Sequence, residues 1–596
     1  MSGFHSMTVK LPLQLLETVN ERKIVVKKIS LKSRRYQISI STKEQDEELA
    51  CRRHDVYAVE LRQHETNRIG RLGDSLDDYN VNFVVCVGGE LAGFISLTPP
   101  GKRGFSIDKY FKRSDLPFRV DESVWETRLL TVFKKHRGSV VSGLLMYGAL
   151  RWVESHGGKQ IVIIGHRGIN EMYKRLGFQA LGLSAQSGAL TYDLLLGTVT
   201  QLRDKSEEQE KILNRLFDQT DWQLPVPFNP PVPCFHGGAF FKAIGECFDQ
   251  LDRKNSVVNA DVLDAWFPPS PKIISAINEN LSWLLRTSPP TGCEGFLSEV
   301  ANARGVKPCN VLPGAGSSDL IFRAFRQWLT QSSKVLILDP TYGEYSHVLE
   351  KVVRCRVDRV RLKYKNGFAL DLNDFEQALE KKYDLIVLVN PNSPTGKYLS
   401  KENMIKILSQ IPPTTRIWVD ETYMEYVGFN QSLEQVAVSS ENVIVCKSMS
   451  KVYALSGARV AYLCGAQHQM EPLRTITPPW VISMPAQLAG VYALDDPGYY
   501  EARYKETHIL REAFGFELSE IGLKVFPSAA NFLLCKLPDG GKCAKDVVRA
   551  CVLEGVYLRD VSSMGTSIGV NYLRIAVKNK SDNERILNAL KIAING

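Results

Sequence analysis

The chain has 596 residues, of which 44% are hydrophobic and 23% charged, the balance of a globular protein too long for a single core. Its formal net charge of +9 suits small anionic ligands and falls well short of a nucleic-acid binder. Twelve cysteines without a Cys-x-x-Cys spacing speak against zinc and dithiol motifs, and no apolar run reaches membrane-spanning length. With no long apolar segment at the N-terminus, a cytoplasmic enzyme with reduced thiols, no metal, no nucleic acid and no membrane is expected.

Residues 1–33 read as an N-terminal arm rich in Lys and Arg. A mixed α/β pattern fills 34–200. "FVVCVGGELAGFISL" sets two apolar runs around a Gly-Gly-Glu turn, a hairpin. "ETRLLTVFKKHRGSVVSGLLMYGALRWVESHGG" reads as a strand, a basic glycine-bearing turn and an amphipathic helix. "KQIVIIGHRGINEMYKRLGFQALG" follows as a strand, a helix and a Gly-Phe turn.

These motifs resemble the GNAT acyltransferase superfamily, and "ETRLLTV" with "YKRLGF" is most similar to its N-acyl-amino-acid-synthase side. The resemblance implies acyl-CoA or an acyl-carrier thioester as co-substrate, with an acyl carrier protein as partner. Its pyrophosphate would be held by backbone N–H groups of a turn starting at Arg137 and Gly138. Tyr173 matches the tyrosine that protonates the leaving thiolate, and Glu126 is a candidate base, directly or through a water. His136 and His166 are further candidate bases, with structural roles as the simpler expectation. Val140 and Ser142 replace small, glycine-type residues of the turn. A module that only binds or scaffolds is therefore the alternative for this half.

Residues 201–233 read as a helical and proline-rich linker. "SEEQEKILNRLF" has helical spacing of Ile212, Leu213, Leu216 and Phe217, and "PVPFNPPVP" is too proline-rich for a regular element.

In 234–596, apolar runs alternate with helical stretches. "KVLILDPTY", "YDLIVLVNPNSPTG", "TRIWVDETY" and "NVIVCKSMSK" predict strands buried on both faces of a mostly parallel sheet. Ligands of such sheets sit outside the carboxyl ends of the strands, where Tyr342, Asn392, Asp420, Tyr423 and Lys451 fall. "GAGSSDLI", Gly314–Ile321, is a glycine turn opening a helix, suited to phosphate. Ser448 and Ser450 add hydroxyls around Lys451, and Arg459 adds charge. Asp420 ends an apolar strand, where its carboxylate calls for a cation such as a protonated pyridine nitrogen. A lysine amine, a ring-nitrogen carboxylate and a phosphate cup together point to pyridoxal 5'-phosphate.

With "DPTYGEY", "NPNSPTG", "VDETY", "SMSKVYALSGAR" and "NYLRIAV" in order, this half resembles the fold type I pyridoxal-phosphate enzymes of the class I/II aminotransferase family. Its likeness is to the branch of histidinol-phosphate aminotransferase and threonine-phosphate decarboxylase. The resemblance implies a small C-terminal α/β subdomain and a homodimer. It implies that Lys451 binds the cofactor aldehyde, Asp420 the pyridinium and Tyr423 the phenolic oxygen, while Tyr342 stacks on the ring. Gly316, Ser317, Ser318, Ser448, Ser450 and Arg459 would hold the phosphate. Arg574 would grip the substrate carboxylate, with Arg559 as a second grip. The family has Asn where this chain has Ser393, so either Asn392 or Ser393 contacts a cofactor oxygen. The tyrosine-proline step that reaches the partner's phosphate is replaced by Ser288, Pro289 and Pro290. "DAWFPPSP" replaces the Asn-rich entry segment and presents Trp266 and Phe267 at the substrate mouth, while "HGG" at His236–Gly238 is similar to the decarboxylase branch. The reading is a bifunctional enzyme, an aminotransferase for a small amino acid or amine fused to an N-acyltransferase. Decarboxylation by the same site is its alternative.

Overall fold

The alternating apolar runs fold into two units, Met1–Pro231 and Val232–Gly596. The structure, a computed structural model, describes residues 35–595 apart from 189, 233 and 235. The basic arm at 1–33 lies outside the described residues.

One sheet organises the first unit. Its strands are β1 (Tyr36–Ile40), β2 (Val81–Val87), β3 (Glu90–Thr98), β4 (Val124–Val132), β5 (Gln160–His166), β6 (Gln179–Ser187), β7 (Leu190–Thr198) and β8 (Thr220–Trp222), in the order β6-β7-β5-β4-β3-β2-β1-β8. Gly88 and Gly89 close the β2–β3 hairpin at φ +61° and +86°, a two-residue turn that other residues enter at a cost. β4 and β5 run parallel and pair only from Val124 with Gln160 to Thr127 with Ile163. Beyond that point each strand continues without the other. The helix Val141–Ser155 lays Val141, Leu144, Leu145, Ala149 and Val153 into the core, a helical stripe.

Residues 201–228, expected as part of a linker, are built into this unit. The helices Val199–Glu207 and Glu210–Gln219 precede β8, which pairs in parallel with β1. Leu216, Leu224, Val226 and Phe228 are buried in the same core. The prolines hold the chain extended, so side chains two residues apart face one way, and Leu224, Val226 and Phe228 point inward together. Proline density signals an absent hydrogen-bond ladder, and burial does not require one.

The second unit holds a seven-stranded sheet. After a short β9 (Val258–Asn259) come β10 (Val311–Gly314), β11 (Lys334–Asp339), β12 (Arg356–Arg361), β13 (Leu385–Val389), β14 (Arg416–Asp420), β15 (Val443–Ser448) and β16 (Ala461–Gly465). The order is β10-β16-β15-β14-β13-β11-β12. β11 to β15 run parallel, and only β16 opposes its neighbours. Successive residues bury on opposite faces: Ile417 and Val419 join one cluster, Trp418 the other. A smaller antiparallel sheet follows, from β17 (Lys524–Phe526), β18 (Phe532–Lys536), β20 (Arg559–Asp560) and β21 (Tyr572–Ala576), in the order β17-β18-β21-β20. The intervening β19 (Val556–Tyr557) pairs with β9. Among the described residues, no helix is long and apolar enough to cross a membrane, and the cysteines are free thiols.

A fragment of residues 1–231 should unfold cooperatively, whereas one ending at 209 should not. The shorter one loses four buried side chains, each worth about 1.5–3 kcal/mol, a sum comparable with the whole stability of a domain. Circular-dichroism melts of the two fragments check this.

Candidate active site

Lys451 follows β15 in the short helix Met449–Val452, turned by Ser448, whose hydroxyl accepts from the Ser450 N–H at 3.3 Å. Its Nζ lies 2.9 Å from Asp264 Oδ1 and 3.4 Å from Ser456 Oγ. Burial lowers the lysine's pKa, and the Asp264 carboxylate works against that.

The same stretch carries a second lysine, which the sequence reading passed over. Lys447 lies within β15 and is buried, with Nζ 2.9 Å from Glu425 and 3.4 Å from Glu421. Arg304 joins this ionic cluster at 3.0 Å from Glu425 and 3.5 Å from Glu434. Lys447 is thus a core cation, and Lys451 is the amine at the strand end.

Asp420 closes β14. Its Oδ2 accepts from Tyr345 OH at 2.7 Å, and its Oδ1 from the Thr422 hydroxyl at 2.6 Å and the Thr422 N–H at 3.0 Å. Tyr345 is fixed in turn by Trp418 Nε1 at 2.8 Å. Burial pushes the Asp420 pKa up, opposed only by these neutral donors. A carboxylate so placed is completed by a cation. Tyr423 is buried beside it, edge-on to Phe532.

The glycine turn forms the second wall. Gly316 has φ +87°, and a Cβ there would lie 2.3 Å from the Arg459 guanidinium. Glycine therefore lets Arg459 lie against the turn that opens the helix Ser317–Trp328. Ser318 is committed elsewhere: its hydroxyl donates to Glu344 Oε2 at 3.0 Å. That oxygen also accepts from Tyr342 OH at 2.7 Å and lies 2.9 Å from His236 Nε2. Cys234 and Glu344 raise the His236 pKa to about 10, so the imidazole is cationic at neutral pH. Glu344 and the paired role of His236 were not read from the sequence. "DPTYGEY" contains the glutamate, but nothing there marks it as buried.

Of the two residues left open in "NPNSPTG", Asn392 spends its carboxamide on its own loop and on the turn after β11. It accepts from Thr341 Oγ1 at 3.1 Å and donates to Pro340 O and Thr395 Oγ1, each at 3.0 Å. Ser393 Oγ accepts instead from Arg574 at 3.0 Å. Arg574 on β21 and Arg559 on β20 are cross-strand partners. Arg574 also donates to the Asp261 backbone O at 2.9 Å, and Arg559 lies 3.4 Å from the Asp261 carboxylate. The Arg574 Nε is buried without a hydrogen-bond partner, and burial lowers its pKa to about 10. Trp266 and Phe267, expected at the substrate mouth, pack against a long helix. Trp266 Nε1 donates to Thr507 Oγ1 at 2.8 Å, and Phe267 packs edge-on to Tyr500 and Tyr504. Both are apolar surface claimed by the helix Pro497–Glu520.

In the first unit, a cavity of about 550 Å³ opens where β4 and β5 part, lined by Arg128, Thr131, Arg137, His166, Tyr173 and Tyr192 among others. Tyr173 is buried in the helix Asn170–Arg175, and burial holds its phenol protonated well above the usual range. Arg137 is partly spoken for. Its guanidinium pairs with Glu60, and its Nε donates to Val132 O at 3.1 Å. Gly138 has φ +76° at the following turn. Glu126, a candidate base, is instead structural. It is fully buried and accepts from Ser106 N at 2.7 Å, Ser106 Oγ at 2.6 Å and Ile107 N at 3.0 Å. His136 does not line the cavity.

A parallel sheet with a lysine, a buried carboxylate and a glycine–arginine cradle at its carboxyl edge defines a pyridoxal-phosphate enzyme. Residues 260–590 match the model of aminotransferase class I and II, and the chain belongs to that family. Histidinol-phosphate aminotransferase 2 of Carboxydothermus hydrogenoformans is 28% identical over 356 residues, 59% of this chain and 95% of the relative. Two solved structures share the fold. The histidinol-phosphate aminotransferase of Sinorhizobium meliloti, in complex with pyridoxal-5'-phosphate, has a TM-score of 0.53 at 22% identity and covers 61% of this chain and 95% of its own. The L-threonine-O-3-phosphate decarboxylase of Porphyromonas gingivalis has 0.50 at 20%, covering 56% and 99%.

The two lysines should separate by experiment. Lys447→Met should cost about 3–5 kcal/mol, because it strands buried carboxylates. Lys451→Ala should change stability little and remove the lysine-linked visible band of the cofactor-loaded protein. Denaturant titration and absorbance spectra check both.

Proposed function

We propose that residues 234–596 transfer the amino group of a small amino acid, with pyridoxal phosphate held on Lys451. The observation that carries this is the convergence of the Lys451 amine and the Asp420 carboxylate, at the carboxyl edge of the seven-stranded sheet, with Arg574 of the smaller sheet, which reaches Ser393 beyond β13 and bears on Lys451. The residues present fit the cofactor: the Gly316–Arg459 cradle offers backbone N–H groups and a cation to its phosphate. Ser448 and Ser450 lie beside Lys451 on the same turn. When bound, pyridoxal phosphate supplies an aldehyde for the amine and a ring that withdraws electrons from the α-carbon.

The chain's own groups do the rest. Asp420 would hold the cofactor's ring nitrogen in its protonated form, and Tyr423, with Ser393, would donate to its phenolic oxygen. Tyr342, tied by Glu344, would stack on the ring. Arg574 grips the substrate carboxylate in a planar, two-bond contact, with Arg559 beside it. Lys451 carries the proton away from the α-carbon as general base. A homodimer is the assembly that suits this family reading. Likeness to histidinol-phosphate aminotransferases supports amino transfer over decarboxylation. Incubation with candidate amino acids and 2-oxoglutarate should yield glutamate; carbon dioxide without glutamate would reverse the assignment. Arg574→Lys should weaken use of the same amino acid by about tenfold or more, since a lysine cannot make the bidentate contact.

For residues 34–200 we propose a GNAT-like acyltransferase that takes acyl-CoA or an acyl-carrier thioester. The cavity between the parting strands supports this, because Tyr173 lines it as a protonated phenol suited to a leaving thiolate. Calorimetric titration with acyl-CoA should show binding, and Tyr173→Phe should slow acyl transfer while leaving amino transfer unchanged. No binding to either donor would leave this unit as a binding or scaffold module.

A further inference from the structure

Asp264 has no part in the reading above, yet its carboxylate is the nearest charge to the reactive amine, with Oδ1 2.9 Å from Lys451 Nζ. Its position is built rather than accidental. Asn259 Nδ2 reaches Oδ2 at 3.5 Å, and Lys578 Nζ donates to the Asp264 backbone O at 3.1 Å. The carboxylate and the amine are both removed from bulk water, Lys451 more so. We propose that Asp264 is the counter-ion of the Lys451 nitrogen in its cationic forms, the protonated nitrogen that has bound the cofactor's aldehyde and the ammonium formed once the free amine has taken up a proton.

The proposal rests on the assignment of Lys451 as the cofactor-binding lysine. Its chemistry balances. An ammonium and an aldehyde condense to a protonated C=N bond and release one water. The nitrogen keeps one proton and its single positive charge, so the same carboxylate serves before and after. A protonated C=N carbon is the better electrophile for an incoming amine, and a nearby anion favours that form. The other charges that bear on this nitrogen include three cations: Arg574 from β21, Arg459 from the cradle, and Lys578, which couples to both Asp264 and Lys451. Each would expel the proton. Lys578 itself is pushed down to about 8 by burial, so the cluster has little tolerance for further positive charge. Among the described protein residues, Asp264 is the carboxylate at hydrogen-bond distance from this nitrogen that stands against them.

The test is a spectrophotometric pH titration of the full-length, cofactor-loaded protein, following the conversion of protonated to neutral C=N absorbance. Asp264→Asn should move that transition to lower pH by about one unit or more, the effect of an opposite charge at this distance. Asp264→Glu should recover part of the shift. Lys578→Met removes a cation from the same cluster and should move the transition to higher pH, which keeps the proposal testable if Asp264→Asn does not fold. Coincident titrations of wild type, Asp264→Asn and Lys578→Met would overturn the role of Asp264 while leaving Lys451 as cofactor lysine. If the wild-type protein showed no visible band with pyridoxal phosphate, the Lys451 assignment would fall first and take the proposal with it.

Discussion

The second unit depends on a sheet buried on both faces. β11, β13, β14 and β15 present apolar side chains above and below, so their polar neighbours have one exit, the strand ends. Parallel strands all end at one edge, and that edge collects Tyr342, Asn392, Asp420 and Lys451 from segments far apart in sequence. The rule has an exception, and it is informative. Lys447 stays inside the sheet, and the structure surrounds it with three glutamates and Arg304. A buried cation needs partners, and Lys447 recruits them from the protein. Lys451 is paired with Asp264 and keeps about a fifth of its side chain exposed, 19%.

Charge at the site is not balanced within the protein. Arg559 and Arg574 stand directly across from each other, a pairing that costs energy in a sheet. Asp261 offsets part of that cost, with its carboxylate toward Arg559 and its backbone oxygen toward Arg574. Arg574 still keeps a buried N–H without a partner, a penalty of about 1–3 kcal/mol that an incoming carboxylate would relieve. Asp420 is the opposite case, an anion with only neutral donors. The two deficits are opposite in sign, and the proposed cofactor and amino-acid substrate would meet them with a cationic ring nitrogen and a carboxylate.

Much of this was legible because periodicity and strand-end chemistry act locally. "VDETY" shows an apolar run ending in a carboxylate, and β14 ends at that carboxylate. What was not legible depends on tertiary contact. In "DAWFPPSP" the aromatics drew attention as an unusual entry segment, but a long helix absorbs them, and the aspartate beside them meets the lysine. In "NPNSPTG" both polar residues looked alike until Thr341, Pro340 and Thr395 claimed Asn392. Glu126 matched a base by position, yet the loop at Ser106 consumes its oxygens. Hydrogen-bond demand from segments distant in sequence decides such cases, and no spacing encodes it.

The proline-rich stretch makes the same argument for the fold. Proline density correctly signals a chain without a ladder, and the expectation of a linker follows only if an unladdered chain must be solvated. Extended backbone alternates its side chains whether or not it is paired. With Leu224, Val226 and Phe228 on the alternate positions, the segment buries one face at a reduced hydrogen-bond cost: its prolines have no N–H to satisfy, and the Val226 carbonyl accepts from Trp222 Nε1 at 2.8 Å. At Gly148 a Cβ would lie 3.0 Å from Ile38 and 3.3 Å from Leu224, so the helix Val141–Ser155 packs closely against both β1 and this segment. Glycine at that position serves β1 and the proline-rich segment together.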